Sequence, residues 1–131
     1  MAHLLAYGLW WVDWKDIPAV VKVRTGDQNR QAELLLAEIQ RHAGTVLLGC
    51  DCNSYETSSS VRILDHVMDN AARNVGWRLP GNEPAQASQD TQLQHIDYVW
   101  YRGDVEPIGV YTISDSGGSD HLPVLAVFEM D

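Results

Sequence analysis

The sequence predicts a layered α/β (α+β) domain, a mostly antiparallel sheet with helices on one face. Three observations predict it. An apolar stripe at the helical period begins near Asp27, a short apolar run closed by a glycine follows it, and the end of the chain holds three strand-like segments. The order helix, strand, helix, then three strands is met most simply by one sheet covered on one side.

Taken in order, Met1 to Val12 is apolar but lacks a basic start and a small-residue cleavage site, and Asp13 interrupts it. It reads as neither a secretion signal nor a membrane span. Tyr7, Trp10, Trp11 and Trp14 make this region dense in aromatics. A strand or turn packing into the core is one reading; a patch facing a membrane surface or a partner is the other. From Asp27 the pattern is helical, with Asp27 as the cap, Ala32, Leu35, Leu36 and Ile39 as one stripe, and Gly44 as the stop. Thr45 to Leu48 then reads as a short buried strand ending at Gly49. A second helix starts within Ser58 to Ser60, buries Val61, Leu64, Val67 and Met68, and ends before Gly76. Leu79 to Gln92 holds two prolines, a glycine and many polar residues, the composition of a loop. His95–Tyr101, Val105–Ile113 and Leu122–Met130 are the strand candidates. The short Gly103-Asp104 turn predicts that the first two form an antiparallel hairpin.

The 131 residues suit a single domain, 1–131, and 45% hydrophobic with 21% charged residues exclude a disordered chain. A net charge of −9, with Lys15 and Lys22 the only lysines, disfavours tight non-specific nucleic-acid binding unless cations gathered in an acidic cleft reverse the local field. Cys50 and Cys52 flank one residue, too close for an ordinary structural bridge, so a reduced, cytoplasmic setting fits.

Three short acidic motifs stand at predicted strand ends. In Gly49-Cys50-Asp51-Cys52-Asn53, Asp51 and Asn53 project to one side of an extended chain. A carboxylate and a carboxamide oxygen together suit a hard cation such as magnesium, although Asp-x-Asn after a strand also makes a turn or a cap. In His95-Ile96-Asp97-Tyr98-Val99-Trp100, Ile96, Tyr98 and Trp100 share one face and Asp97 shares the other with Val99. Asp97 is then either paired with nearby backbone or Arg102, or it orients a histidine. In Ser116-Gly117-Gly118-Ser119-Asp120-His121, two glycines permit a sharp turn that would carry Asp120 and His121 over a cleft. Asp120 suits a metal, and His121 suits phosphate contact or proton transfer.

Together, Leu48-Gly49-Cys50-Asp51-Cys52-Asn53, Ile96-Asp97-Tyr98-Val99 and Ser119-Asp120-His121-Leu122-Pro123-Val124 resemble the endonuclease/exonuclease/phosphatase superfamily, the deoxyribonuclease-I-like phosphohydrolases. The helix around Arg30-Gln31-Ala32-Glu33-Leu34-Leu35 resembles the one before that family's Asp-x-Asn strand. The likeness runs over residues 24–129, with one departure: Cys50 separates Gly49 from Asp51, where the family has Gly-Asp. The resemblance implies the carboxyl-terminal half of the domain, one layer pair of a four-layer αββα sandwich. His3-Leu4 then either matches a strand-end His-Leu midway through the family's domain or is an unremarkable near-terminal pair.

The resemblance also implies roles. The residue matching Asp51 positions or deprotonates the attacking water, Asn53 binds the scissile phosphate, and Asp97 pairs with His121 for phosphate contact or proton transfer. Asp120, with Asp51 and Asn53, belongs to the metal site, for Mg²⁺ or Mn²⁺. The family's principal metal ligand, a Glu in its amino-terminal half, has no match before Arg24. The expectation is a metal-dependent phosphoester hydrolase, or half of one, acting on nucleic acid, a phospholipid head group or an inositol phosphate. A homodimer or a missing amino-terminal half would cover the sheet's second face. The alternative is a non-catalytic binding or assembly module, or a truncated inactive fragment.

Overall fold

The computed structural model describes residues 2–4, 12–78 and 95–130. Tyr7, Trp10, Trp11 and the loop expected over Leu79–Gln92 lie outside these. Trp14 lies inside them and is exposed, so core packing does not explain it.

Helix α1 spans Ile17–Arg41 and starts well before Asp27, which lies inside it and does not cap it. Pro18 supplies the reason: in a first turn its fixed φ suits the helix and its missing N–H has no partner to lose. Asp16 takes the cap position. At the other end, Arg102 donates to the carbonyls of Ile39 (3.1 Å) and His42, satisfying acceptors that a helix terminus leaves open. That contact also decides one question about Asp97, because the Arg102 guanidinium is occupied at the far end of its strand.

Strand β2 (Val46–Asp51) runs past Gly49 to Asp51. The second predicted helix divides in two. Helix α2 (Ser59–Asp65) stops, Asp69–Asn70 forms strand β3, and helix α3 (Ala71–Val75) follows. The break has a local cause, since the Asn70 side chain accepts the Ala72 N–H at 3.0 Å and competes with a continuous helical backbone. Strands β4 (Trp77–Arg78), β5 (Asp97–Arg102), β6 (Val105–Thr112) and β7 (Val124–Met130) complete the described elements, with β1 (Ala2–His3) at the start.

Hydrogen bonding groups these strands as β1-β2-β5-β3 and β4-β6-β7. The expected hairpin between the segments now seen as β5 and β6 is therefore not formed. Strand β2 occupies one edge of β5 over its whole length, and β3 takes Tyr101 and Trp100 on the other. Next to Arg102, β5 has no free edge, so the Gly103-Asp104 turn hands the chain to a second set of strands. Gly103 makes that turn at φ 99°, with the position of a Cβ only 2.8 Å from the Thr45 Cα.

The core forms on one face. Leu48, Cys50, Tyr98 and Trp100 point from β2 and β5 toward Ala32 and Ile39 of α1 and Val61 and Leu64 of α2. Leu64, fully buried, contributes roughly 2 kcal/mol by leaving water. The Trp100 indole N–H is satisfied by Asp65 at 2.9 Å. A second cluster joins α3 to β6 through Ala71, Ala72, Val105 and Val110, with Val124, Ala126 and Phe128 of β7 packed against it. Among the described residues no helix is long and apolar enough to cross a membrane.

Cys50 and Cys52 are bonded to each other, which corrects the expectation of two free thiols. Residues two apart in extended chain project to the same side, and their Cα atoms lie 5.4 Å apart, within the ordinary span of a bridge. Closeness in sequence is no obstacle in this backbone.

Gly103→Ala should lower stability by more than about 1 kcal/mol, because it places a Cβ at positive φ against the Thr45 backbone. Gly44→Ala, which meets nothing within 4 Å, should change stability by less than about 0.5 kcal/mol. Urea unfolding of the two variants checks the pair; equal midpoints would contradict the assignment of strain to Gly103.

Candidate active site

The site begins with a register. In the antiparallel pairing of β2 and β5, Asp51 stands opposite Asp97. Both point away from the helices, since their neighbours Cys50 and Tyr98 fill the core side. Two carboxylates directly opposite on one face repel, so the arrangement needs a positive group between them. His121 supplies one. Its Nδ1 lies 2.8 Å from Asp97 Oδ2, and its Nε2 is 3.9 Å from Asp51 Oδ2.

The segment before β7 delivers the imidazole. Gly117 (φ 60°) and Gly118 (φ 90°) take left-handed backbone conformations that reverse the chain, and Ser119 Oγ then accepts the His121 N–H at 3.1 Å. The Ile113 N–H bonds the Pro123 carbonyl (2.9 Å) where β6 and β7 converge, which holds the loop's exit. Asp51, Asp97, Val99, Ser119, His121 and Pro123 line a cleft of about 360 Å³.

Asp51 serves two ends at once. Its Oδ1 accepts the Asn53 N–H at 3.0 Å, the turn that Asp-x-Asn makes after a strand, while Oδ2 faces His121. The turn reading of this motif holds, and it leaves one Asp51 oxygen facing the cleft. Asn53 adopts φ 43° and donates its side-chain N–H to the Leu4 carbonyl at 3.1 Å, tying this corner to the end of β1. Strand β1 pairs parallel with β2, with His3 opposite Asp51. Asp120 is exposed and does not converge with the other carboxylates, although its charge reaches His121. Oxygen atoms of Asp51 and Asp97 and a ring nitrogen of His121 lie within 4.8 Å of one another. Oxygen donors with one imidazole suit a hard or borderline divalent cation.

Residues that the sequence reading gave no part in the site also shape it. The Tyr98 hydroxyl lies 2.9 Å from the Ser54 carbonyl and 2.6 Å from the His95 carbonyl, bracing both chain segments that carry site carboxylates. Burial pushes this phenol's pKa well above its usual range, so it stays a donor. Gln28 and Ser54 are buried beside the same corner. Gln28 was detectable as a polar residue four positions before Ala32, on the stripe of α1 itself.

Burial opposes the charged imidazolium of His121, but the hydrogen bond to Asp97 and the charges of Asp97, Asp51 and Asp120 outweigh it, and the pKa is raised from 6.5. The folded state thus holds a proton that the unfolded chain has lost, over a window opening near 6.5 and closing at the raised value. Stability from this group is complete below the window and is lost as pH rises through it. In metal-free protein, NMR titration of the His121 ring should give a midpoint above 6.5, and Asp97→Asn should lower it. A midpoint unmoved by that substitution would contradict the pairing.

The model of the Endonuclease/Exonuclease/phosphatase family matches residues 7–121. A search of the curated protein sequences finds no match. Among solved structures, the chain resembles an endonuclease/exonuclease/phosphatase from Bacteroides vulgatus, with TM-score 0.67 and 16% identity over 82% of this chain and 45% of that one. It also resembles a mannosyl-6-phosphatase from Bacteroides thetaiotaomicron, with TM-score 0.64 and 14% identity over 80% of this chain and 46% of that one. A functionally unknown conserved protein from Enterococcus faecalis gives TM-score 0.63 and 18% identity, over 82% and 46%. The chain thus spans slightly less than half the length of these structures, and at such identities they establish the fold alone. With the family model covering most of the chain and the helix-backed antiparallel strands agreeing, the chain belongs to the endonuclease/exonuclease/phosphatase family.

Proposed function

We propose that this chain carries the proton-handling and phosphate-facing part of a divalent-metal-dependent phosphoester hydrolase. The observation that supports it most is the His121 imidazole, bonded to Asp97 through Nδ1 with Nε2 directed toward Asp51. A carboxylate on one ring nitrogen fixes the ring and assigns proton exchange to the other. Nε2 faces the cleft, and the neighbouring carboxylates that raise the imidazole's pKa favour its protonated form, a donor to a phosphoryl oxygen or a leaving alkoxide. Asp51 Oδ2, beside it, is an acceptor for the proton of an attacking water. Asn53 would bind the scissile phosphate.

The donor set fits Mg²⁺ or Mn²⁺, with Asp51 and Asp97 as the converging oxygens and His121 beside them; Asp120 and Asn53 would join it only as further ligands. When bound, such an ion would neutralise phosphate charge and acidify a water. A protein with net charge −9 needs that neutralisation to attract a phosphoester. The same charge argues for compact substrates, a phospholipid head group or an inositol or sugar phosphate, over long duplex nucleic acid. The mannosyl-6-phosphatase among the structural neighbours makes a phosphorylated sugar a sensible probe.

The homodimer remains a second reading because β2 and β7 turn Leu47, Leu125 and Val127 to solvent. Apolar side chains on neighbouring sheet surfaces favour a covering partner. Sedimentation showing only monomer at micromolar concentration would exclude it.

Hydrolysis of bis(p-nitrophenyl) phosphate and p-nitrophenyl phosphate, with and without Mn²⁺ or Mg²⁺, tests the main proposal. Metal-dependent turnover should fall roughly 10²–10⁴-fold in His121→Ala, the range for losing a positioned proton donor. Asp120→Ala should weaken the metal requirement's apparent affinity with less loss of turnover. Metal binding without hydrolysis of any phosphoester would favour the non-catalytic module instead.

A further inference from the structure

Among the described residues the buried polar side chains are Gln28, Ser54, Ser60, Asn70 and Thr112. Three of them meet at one point. Ser54 Oγ donates to Gln28 Oε1 at 3.2 Å, and Ser60 Oγ lies 3.3 Å from Ser54 Oγ. The Ser54 carbonyl is within 2.9 Å of the Tyr98 hydroxyl. Ser54 is thus bound by helix α1, by helix α2 and by strand β5, all on the buried side of the sheet.

Packing does not call for a glutamine there. Position 28 shares the α1 stripe with Ala32 and Ile39, where an apolar side chain would fill the same volume without the cost of desolvating an amide. The polar cluster sits directly behind the candidate site, because Ser54 follows Asn53. Asn53 holds a left-handed φ of 43°, uncommon for a residue with a side chain, and in that conformation its N–H reaches Asp51 Oδ1 at 3.0 Å. That bond leaves Asp51 Oδ2 toward His121. The Cys50–Cys52 bond restrains the chain before Asn53 and leaves the Asn53–Ser54 peptide to be held from the other side.

We infer that Gln28 is a positioning residue for Asp51: from inside α1, through Ser54, it holds Asn53 in the conformation that orients the Asp51 carboxylate. The functional meaning of that orientation rests on the proposal above, while the positioning itself is measurable without any activity. Gln28→Met keeps length and burial but removes the acceptor, whereas Gln28→Glu keeps an oxygen for the Ser54 hydroxyl.

The experiment is amide hydrogen exchange by NMR, all samples in the same oxidation state. In Gln28→Met the Asn53 amide should exchange about tenfold faster while the Trp100 amide of β5 is unchanged, the pattern of a local opening. Gln28→Glu should restore protection. Unchanged Asn53 exchange would overturn the inference, as would equal acceleration throughout β2 and β5, which marks a merely structural residue. If Gln28→Met does not fold, Ser54→Ala removes a single oxygen from the same link and must loosen Asn53 alike. Titration with Mn²⁺ separates the two claims. A wild-type protein that binds no Mn²⁺ overturns the metal-dependent function, and the exchange data still decide the positioning. If the wild type binds, Gln28→Met should bind about tenfold more weakly; equal affinity would overturn the inference.

Discussion

The fold of this chain turns on the antiparallel register between β2 and β5. One set of backbone hydrogen bonds puts Leu48 and Cys50 beside Trp100 and Tyr98 on the helix-facing side, and Asp51 beside Asp97 on the other. A slip of one residue would exchange the faces, burying the carboxylates under α1 and exposing the core. The hydrophobic demand of the core therefore fixes the distance between the two acidic groups. Packing sets the separation of the two strands' acidic positions, and the bonds from Asn53 and His121 then orient the carboxylates.

The extra cysteine between Gly49 and Asp51 becomes intelligible in the same terms. Cys50 occupies a core position and Asp51 the next, outward one, so the departure from Gly-Asp does not displace the carboxylate from its partner strand. Like charges at opposed positions would otherwise open the end of the sheet. The imidazole lying against both carboxylates offsets that repulsion, and the same contact raises its affinity for a proton. Stability and chemistry share one interaction here. At the other side of the strand end, Gln28, Ser54, Ser60 and Tyr98 show that polar groups behind the site are placed as carefully as those within it.

Much of this was legible from residues alone. The alternation of Ile96, Tyr98 and Trp100 against Asp97 and Val99 fixed the faces of β5, because side chains in extended chain alternate without exception in this stretch. The stripe of Ala32 and Ile39 identified α1, yet its start was hidden by β-branched residues and Gly26, which lower helix propensity without preventing a helix that begins at Ile17, with Pro18 in its first turn. The lost β5–β6 hairpin was not legible, since it depends on which strands already occupy the edges of β5; the break at Asn70 has a local cause, its side chain capping α3, that the apolar stripe running on to Met68 concealed. The Cys50–Cys52 bond was missed because sequence separation says nothing of backbone shape.

By itself, then, the sequence determined the main helices and strands, which residues of β5 share a face, and the family, all consequences of short-range periodicity and of motifs within a few residues. Tertiary structure decided which acidic groups meet. Asp51, Asp97 and His121 are separated by long stretches of chain and are brought together only by strand register and a glycine-permitted turn. Asp120, adjacent to His121 in sequence, is left exposed by the same turn. Neighbourhood in the chain predicts a residue's direction; only closure of the sheet, a cooperative and long-range event, sets the distances between the two carboxylates and the imidazole.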